Sequence, residues 1–431
     1  MAPTSTKANG KISLPGRNPS DTSDLFYSHW RRLNAWLNEY QSLWRPVPFR
    51  DPEPAWTLRY PELSDWLDGL DGPQCDTYEQ HPERLAARLR DWLPGLADYP
   101  ALVAVPDLSP GQGKVDVMTL AERNAVDMPG RKRLQSGAFV AALAPLTGPS
   151  LDWCCGKGHL SRTLARQGRV SVTGYEWNGG LVEDGNRLVQ RYGDAVTLQC
   201  RDVMASDLSW PDGAHGVALH ACGDLHRKLI RDVVTRRQPR ISFSPCCYHL
   251  TNSRHLTLLS ERTRADANAL ALTRDDLRLA VQETVTAPIR DRKQSARTSQ
   301  WRLGFDGLQR HLRGVDDYLP LPPHPKRLMG EGFEAFCHWA ADRKGLTLPV
   351  GIDYGHWLDY GADRAARVRR YELVRHLFRR PLELWLVLDY GLFLEESGYE
   401  VRLGTFCDRT LTPRNLLVDA VITKKAPEGA L

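Results

Sequence analysis

The chain has 431 residues, 42% of them hydrophobic and 25% charged, with a formal net charge of +5. That length holds two or three domains, or one large domain carrying an insertion. No apolar run approaches the roughly 20 residues a membrane-spanning helix needs, which argues against a membrane partner, and the mild basic excess permits a nucleic-acid partner without requiring one.

Residues 1–23 have no apolar core, so they read as a disordered leader and not as a secretory signal. Residues 24–127 read as an α-helical N-terminal domain. Its first helix, Asp24 to Leu43, carries Trp30, Leu33, Trp36, Leu37 and Tyr40 at helical spacing, and prolines punctuate the short helices that follow. Of thirteen tryptophans, Trp30, Trp36, Trp44, Trp56, Trp66 and Trp92 lie here; helix packing is their expected use, and stacking on a base the alternative.

An apolar helix then runs to Leu146, and the chain begins to alternate. Strands are expected at Leu151–Trp153, Val170–Glu176, Val196–Cys200, Gly216–His220 and Ile241–Ser244. Helices separate most of them: Gly158–Gln167, Leu181–Tyr192 and Leu225–Arg236. This alternation predicts an α/β fold with a mostly parallel sheet and helices on both faces. Residues 128–250 would form the first part of that core. Residues 251–361 break the rhythm and read as an insertion, with a helical region over 253–287, a basic stretch over 290–313 and a Pro-rich link at 319–325. Residues 362–425 return to the core with two helices split by Pro381 and two alternating strands, which predict an antiparallel edge; 426–431 are a tail.

The segment Leu151-Asp152-Trp153-Cys154-Cys155-Gly156-Lys157-Gly158-His159-Leu160 reads as a strand ending in an acid, a glycine turn and a helix start. Such a turn lets backbone N–H groups approach a small ligand. Glu176 ends the second strand, where a carboxylate can accept from two ribose hydroxyls. Asp202 and Val203 follow the third strand, placed to meet an adenine. A dinucleotide site wants G-x-G-x-x-G, and Leu160 stands where the third glycine would be. Asp152 at the end of the first strand fits the amino-acid end of S-adenosylmethionine better than a pyrophosphate.

The tips of the fourth and fifth strands carry His220-Ala221-Cys222-Gly223-Asp224 and Cys246-Cys247-Tyr248-His249. Four uses compete. They can orient an acceptor, with His220, Asp224 or His249 taking its proton; Cys222 and Cys246 can serve as the cysteine pair of a cytosine-5 methyltransferase; Cys and His can hold a metal; or the thiols can be packed small apolar groups. The first is the reading adopted, with Cys222, Cys246, Cys247 and Tyr248 lining the pocket. The spacing is no C-x-x-C…C-x-x-C array, so no metal is expected. Nine cysteines, with the pairs Cys154-Cys155 and Cys246-Cys247 adjacent, read as free thiols of a cytoplasmic protein.

The segments DWCCGKGHLSRTLA, LHACGDLHRKLI, SPCCYHL and LTPRNLLVDAVI together resemble the methyltransferase-like 25 family, over roughly Gly130 to His249 and Arg364 to Lys424. The first and third are also distantly similar to the family that 2′-O-methylates the tRNA acceptor stem. The resemblance implies a class I, Rossmann-like methyltransferase fold with Asp152, Gly156, Gly158, Glu176 and Asp202 around S-adenosylmethionine. The last two strands would complete the same sheet, with the insertion lying over the substrate side. Where the general class I pattern has glycine, this chain has Cys154, a side chain that is tolerable if the backbone keeps a negative φ. RNA, as tRNA or rRNA, is the leading acceptor, with a protein side chain or small molecule close behind and a non-catalytic interaction module as the reading from another class. The acceptor atom and the oligomeric state are not legible in the sequence.

Overall fold

The computed structural model describes residues 19–282, 289–325 and 327–423. A helix already begins at Pro19, inside the segment read as leader; residues 1–18 and the tail over 426–431 lie outside the described residues.

Seven strands form one sheet: β1 (Ser150–Trp153), β2 (Val172–Glu176), β3 (Val196–Cys200), β4 (His215–Cys222), β5 (Arg240–Cys246), β6 (Tyr399–Thr405) and β7 (Leu416–Ile422). Their order is β3-β2-β1-β4-β5-β7-β6. β1 to β5 run parallel, and β7 pairs antiparallel with both β5 and β6. This is the mostly parallel sheet with an antiparallel edge that class I methyltransferases share. The direction of winding reverses between β1 and β4, so the strand tips there open the crevice where such sheets bind ligands.

The helices Gly130–Leu143, His159–Gly168 and Gly179–Tyr192 bury one face of the sheet around Leu164, Val172, Leu198 and Val217. The other face carries the helix Arg379–Glu396, whose residues from Pro381 to Leu392 are all buried. The N-terminal helices join that same core. Trp30 stacks on Trp385 with ring centroids 5.5 Å apart, and the Trp385 indole N–H donates to Asn34 at 3.1 Å. Trp30, Trp36, Trp44 and Trp56 are buried, so these rings are packing, not stacking platforms.

The edge is pinned by one carboxylate. Asp419 on β7 is buried and accepts from Arg240 at 2.8 and 3.0 Å, from the Ser242 hydroxyl at 2.6 Å, and from Arg402 of β6. Burial works to raise this acid, but the Arg240 pairing outweighs it and holds the carboxyl below its usual range.

The stretch expected to be helical over 253–287 is mostly irregular in its described part. It holds the short helix Glu261–Ala265 and a 3-10 turn at Asp276–Val281. The cause is tertiary. Asp389, on the helix Arg379–Glu396, accepts the Leu259 and Ser260 N–H groups and the Thr263 hydroxyl, and Glu396 accepts from the N–H groups of Glu261 and Arg262. The strap's backbone is satisfied from outside, so it need not coil. The basic stretch is the helix Ile289–Arg313, whose Trp301 and Phe305 form a small core with Phe333 and Phe336 of the helix Phe333–Lys344. Its cations tie loops together: Arg302 donates to the Leu321 and Pro322 carbonyls, and Arg310 to that of Arg50.

Candidate cofactor and acceptor site

β1 must stop sharply for the chain to enter the helix His159–Gly168. The Cys155 N–H reaches the Tyr175 carbonyl on β2 at 3.0 Å, and Gly158 closes the turn onto the Cys155 carbonyl at 2.9 Å. Gly158 has φ 70°, and a Cβ there would lie 2.8 Å from Leu198. Gly156 also has positive φ, and a Cβ there would meet nothing within 4 Å, so the space over the turn is open. Cys154 departs from the expectation. Its φ is +61°, the left-handed region, because the same sharp exit is made at the position where the class pattern has glycine. A Cβ in that region costs about 1–2 kcal/mol.

Three carboxylates sit at neighbouring strand tips. Asp152 is 2% exposed and accepts from the Ser161 hydroxyl at 2.6 Å. Burial pushes its carboxyl up, the Ser161 bonds oppose this, the Glu176 charge adds to it, and the result is about 7. Glu176 is buried, with one oxygen accepting the Gly156 N–H and the other the Asn178 N–H, both at 3.1 Å. Asp202 is exposed and accepts the Met204 N–H at 2.9 Å, beside the buried Val203. Open space over the glycine turn, a buried acid with no ion pair among the described residues, and two further acids along the edge fit an adenosyl ligand with an ammonium end. Trp177, 75% exposed directly after Glu176, stands on the same edge and was not singled out from the sequence.

At the tips of β4 and β5 the predicted residues separate into two sets. Cys222, Cys246 and Cys247 come together, their sulfurs all within 4.8 Å of one another. His220, φ 68°, has its Nε2 against the Gln135 amide, a partner the sequence gave no sign of. Burial, then Arg414 and Lys132, push His220 down to about 4, so it is neutral near pH 7. His249 is also shifted down, by burial and then Arg278, and its Nδ1 is buried without a hydrogen-bond partner. Asp224 is turned toward the loop, accepting the Asn252 N–H at 3.0 Å. Tyr248 is turned into the core: its ring meets His226 edge-on at 5.7 Å and its hydroxyl points to Glu383.

Cations lie near the two histidines of this set. Lys132, Arg131 and Arg414 act on His220, and Arg278 and Arg274 on His249. The fold brings the late segment Thr412-Pro413-Arg414-Asn415 to β5, where the Ser244 hydroxyl donates to the Arg414 carbonyl at 3.0 Å.

Residues 147–254, about a quarter of the chain, match the family model described as a methyltransferase domain. No curated protein matches the chain. Similar solved structures include PKMT2 from Rickettsia typhi in complex with AdoHcy (16% identity, 22% of this chain and 20% of that one, TM-score 0.20). Others are a geranyl diphosphate methyltransferase in complex with SAM (18%, 29% and 59%, TM-score 0.23) and the YcgJ protein from Bacillus subtilis (12%, 67% and 98%, TM-score 0.24). The chain spans less than two thirds of the length of the first two. Among the described residues no helix is long and apolar enough to cross a membrane. Sheet order, glycine turn and family match agree on a class I methyltransferase fold, in which residues 147–254 match a methyltransferase domain and supply β1 to β5, and β6 and β7 complete the sheet.

Proposed function

We propose that this chain is a methyltransferase of the methyltransferase-like 25 group that uses S-adenosylmethionine to methylate RNA in a reducing, cytoplasmic setting. One observation carries the donor half: Asp152, Glu176 and Asp202 stand at successive strand tips around an open glycine turn. The bound cofactor supplies an electrophilic methyl group, so the protein's work is to place an acceptor in line and take its proton. His220 already has its Nε2 against Gln135, and Asp224 is committed to the Asn252 N–H. His249, with Nδ1 unpartnered, is left to receive the proton.

The cations around His220 and His249 support a polyanionic acceptor. Calorimetric titration with S-adenosylmethionine tests the donor half, and no binding at millimolar cofactor overturns it. Filter binding of tRNA and rRNA fragments across a salt series tests the acceptor. A steep fall in affinity with salt, made shallower by about one unit of log–log slope in Lys132→Ala, is expected. A flat response removes RNA and leaves a protein or small molecule.

A further inference from the structure

We propose that Cys222, Cys246 and Cys247 hold a zinc ion through three thiolates at the joined tips of β4 and β5, leaving a fourth position open toward the acceptor side. Neighbouring residues of a strand point to opposite faces, so Cys246 and Cys247 would ordinarily diverge. They converge because Cys247 has φ 47°, a left-handed backbone for a residue with a Cβ. On β4 the pairing with β5 slips between Leu219 and Cys222, and His220 is left-handed too. Cys222 is thereby set against Cys246, with the two sulfurs 3.4 Å apart.

Gly223 makes the approach feasible. Its N–H donates to the Cys246 carbonyl at 3.2 Å, and a Cβ there would stand 1.9 Å from the Leu250 carbonyl oxygen. Two strained non-glycine residues and one irreplaceable glycine thus serve a single outcome, three sulfurs gathered within 4.8 Å. Small apolar packing does not require that, and strain of this kind is kept where it does work.

The dimensions suit zinc. Zn–S bonds of about 2.3 Å in a tetrahedron set sulfurs about 3.8 Å apart; here Cys222 and Cys246 have sulfurs 3.4 Å apart and all three lie within 4.8 Å of one another. Loading releases three thiol protons to solvent and leaves one net negative charge, with Arg414 near enough to Cys222 and Cys247 to offset it. Cys222 and Cys247 are half-buried and Cys246 is buried, so the ion would be accessible from one side only. The cluster lies near the glycine turn, since Cys222 is close enough to Cys154 to act on its charge. Three protein ligands and one open position are the arrangement of zinc sites that bind a reactant.

The test uses the full chain, purified under reducing conditions, incubated with excess zinc and desalted. About one zinc per chain is expected by mass spectrometry of the metal, falling at least tenfold in Cys222→Ser and Cys247→Ser and unchanged in Cys75→Ser. Where a variant fails to fold by circular dichroism, cobalt loading of the parent decides. A thiolate-to-cobalt charge-transfer band supports the site, and its absence overturns it. Zinc content that survives in folded Cys222→Ser also overturns it, as does a Cys222–Cys246 disulfide that persists in place of metal under those conditions. Metal content is read without cofactor, so its failure is distinct from a failure to bind S-adenosylmethionine.

Discussion

Asp152 should make cofactor binding depend on pH in a predictable way. Its carboxyl rests at about 7 in the cofactor-free chain, against 3.8 for the unfolded residue, with burial as the leading cause. A raised acid contributes stability at low pH and loses it as pH climbs through the folded value. The rise of about 3 pH units amounts to about 4 kcal/mol of fold stability, present near pH 4 and gone by pH 7. A cation against Asp152 reverses the balance. If the cofactor's ammonium meets this carboxylate, a proton must leave Asp152 on binding at any pH below 7. Affinity should then rise about tenfold per pH unit between pH 5 and pH 7, where the ammonium itself stays charged, and flatten above. Calorimetry at pH 5.5, 6.2 and 7, in buffers of differing ionisation enthalpy, reads both the affinity and the proton released. Asp152→Asn should bind weakly with no pH dependence. An affinity constant across that range, with no proton released, would refute the role given to Asp152.

Glu176→Gln puts an amide donor opposite a backbone N–H, since both carboxylate oxygens now accept from Gly156 and Asn178. A loss of about 1–3 kcal/mol in urea unfolding and at least tenfold weaker cofactor binding are expected; unchanged affinity counts against the ribose assignment. Cys154→Gly relieves a left-handed Cβ and should gain about 0.5–1 kcal/mol by denaturant midpoint, net of glycine's extra freedom when unfolded. A loss of 1 kcal/mol or more would mean that thiol packing outweighs the strain. Asp419→Ala strands Arg240 in the sheet and should cost about 3–5 kcal/mol at pH 7. The Asp419 carboxyl is held low, so its contribution is present above the unfolded value and fades as pH falls through the folded one. The parent should therefore weaken toward the variant in acid, which parallel urea melts at pH 7 and pH 3 would show.

Much of the sheet was legible because each strand is punctuated locally. β3 falls on the expected Val196–Cys200, and Gly193 closes the helix before it with a left-handed cap. The helix starting at Tyr354 was expected only from Arg364, because its start depends on Asp353 accepting the His356 N–H, with no apolar period to announce it. The strap after β5 was misread as helical because its leucines are frequent, while its hydrogen-bond partners sit on Asp389 and Glu396, more than a hundred residues away. The glycine turn, Glu176 and Asp202 were readable because a cofactor edge is built from strand ends near in sequence. The cysteine trio was readable as pocket lining but not as a cluster, since the sulfurs of Cys222 and Cys246 meet only through the β4–β5 pairing.

That contrast divides the molecule by task. Every carboxylate on the donor edge lies within residues 147–254, the segment that matches the methyltransferase domain. The groups set around His220 and His249 come from elsewhere: Gln135 and Lys132 from the helix before the sheet, Arg274 and Arg278 from the strap, Arg414 from the loop between β6 and β7. The strap packs in the core that joins the N-terminal helices to the sheet through Trp30 and Trp385, whereas the helix Gly130–Leu143 and the loop after β6 pack in the core on the sheet's other face. On the proposed function, the choice of acceptor would belong to the parts outside the common domain. Exchanging the strap over 251–282 between relatives should move acceptor preference and leave cofactor affinity where it was, whereas a strap that moved both would tie the two halves of the site together.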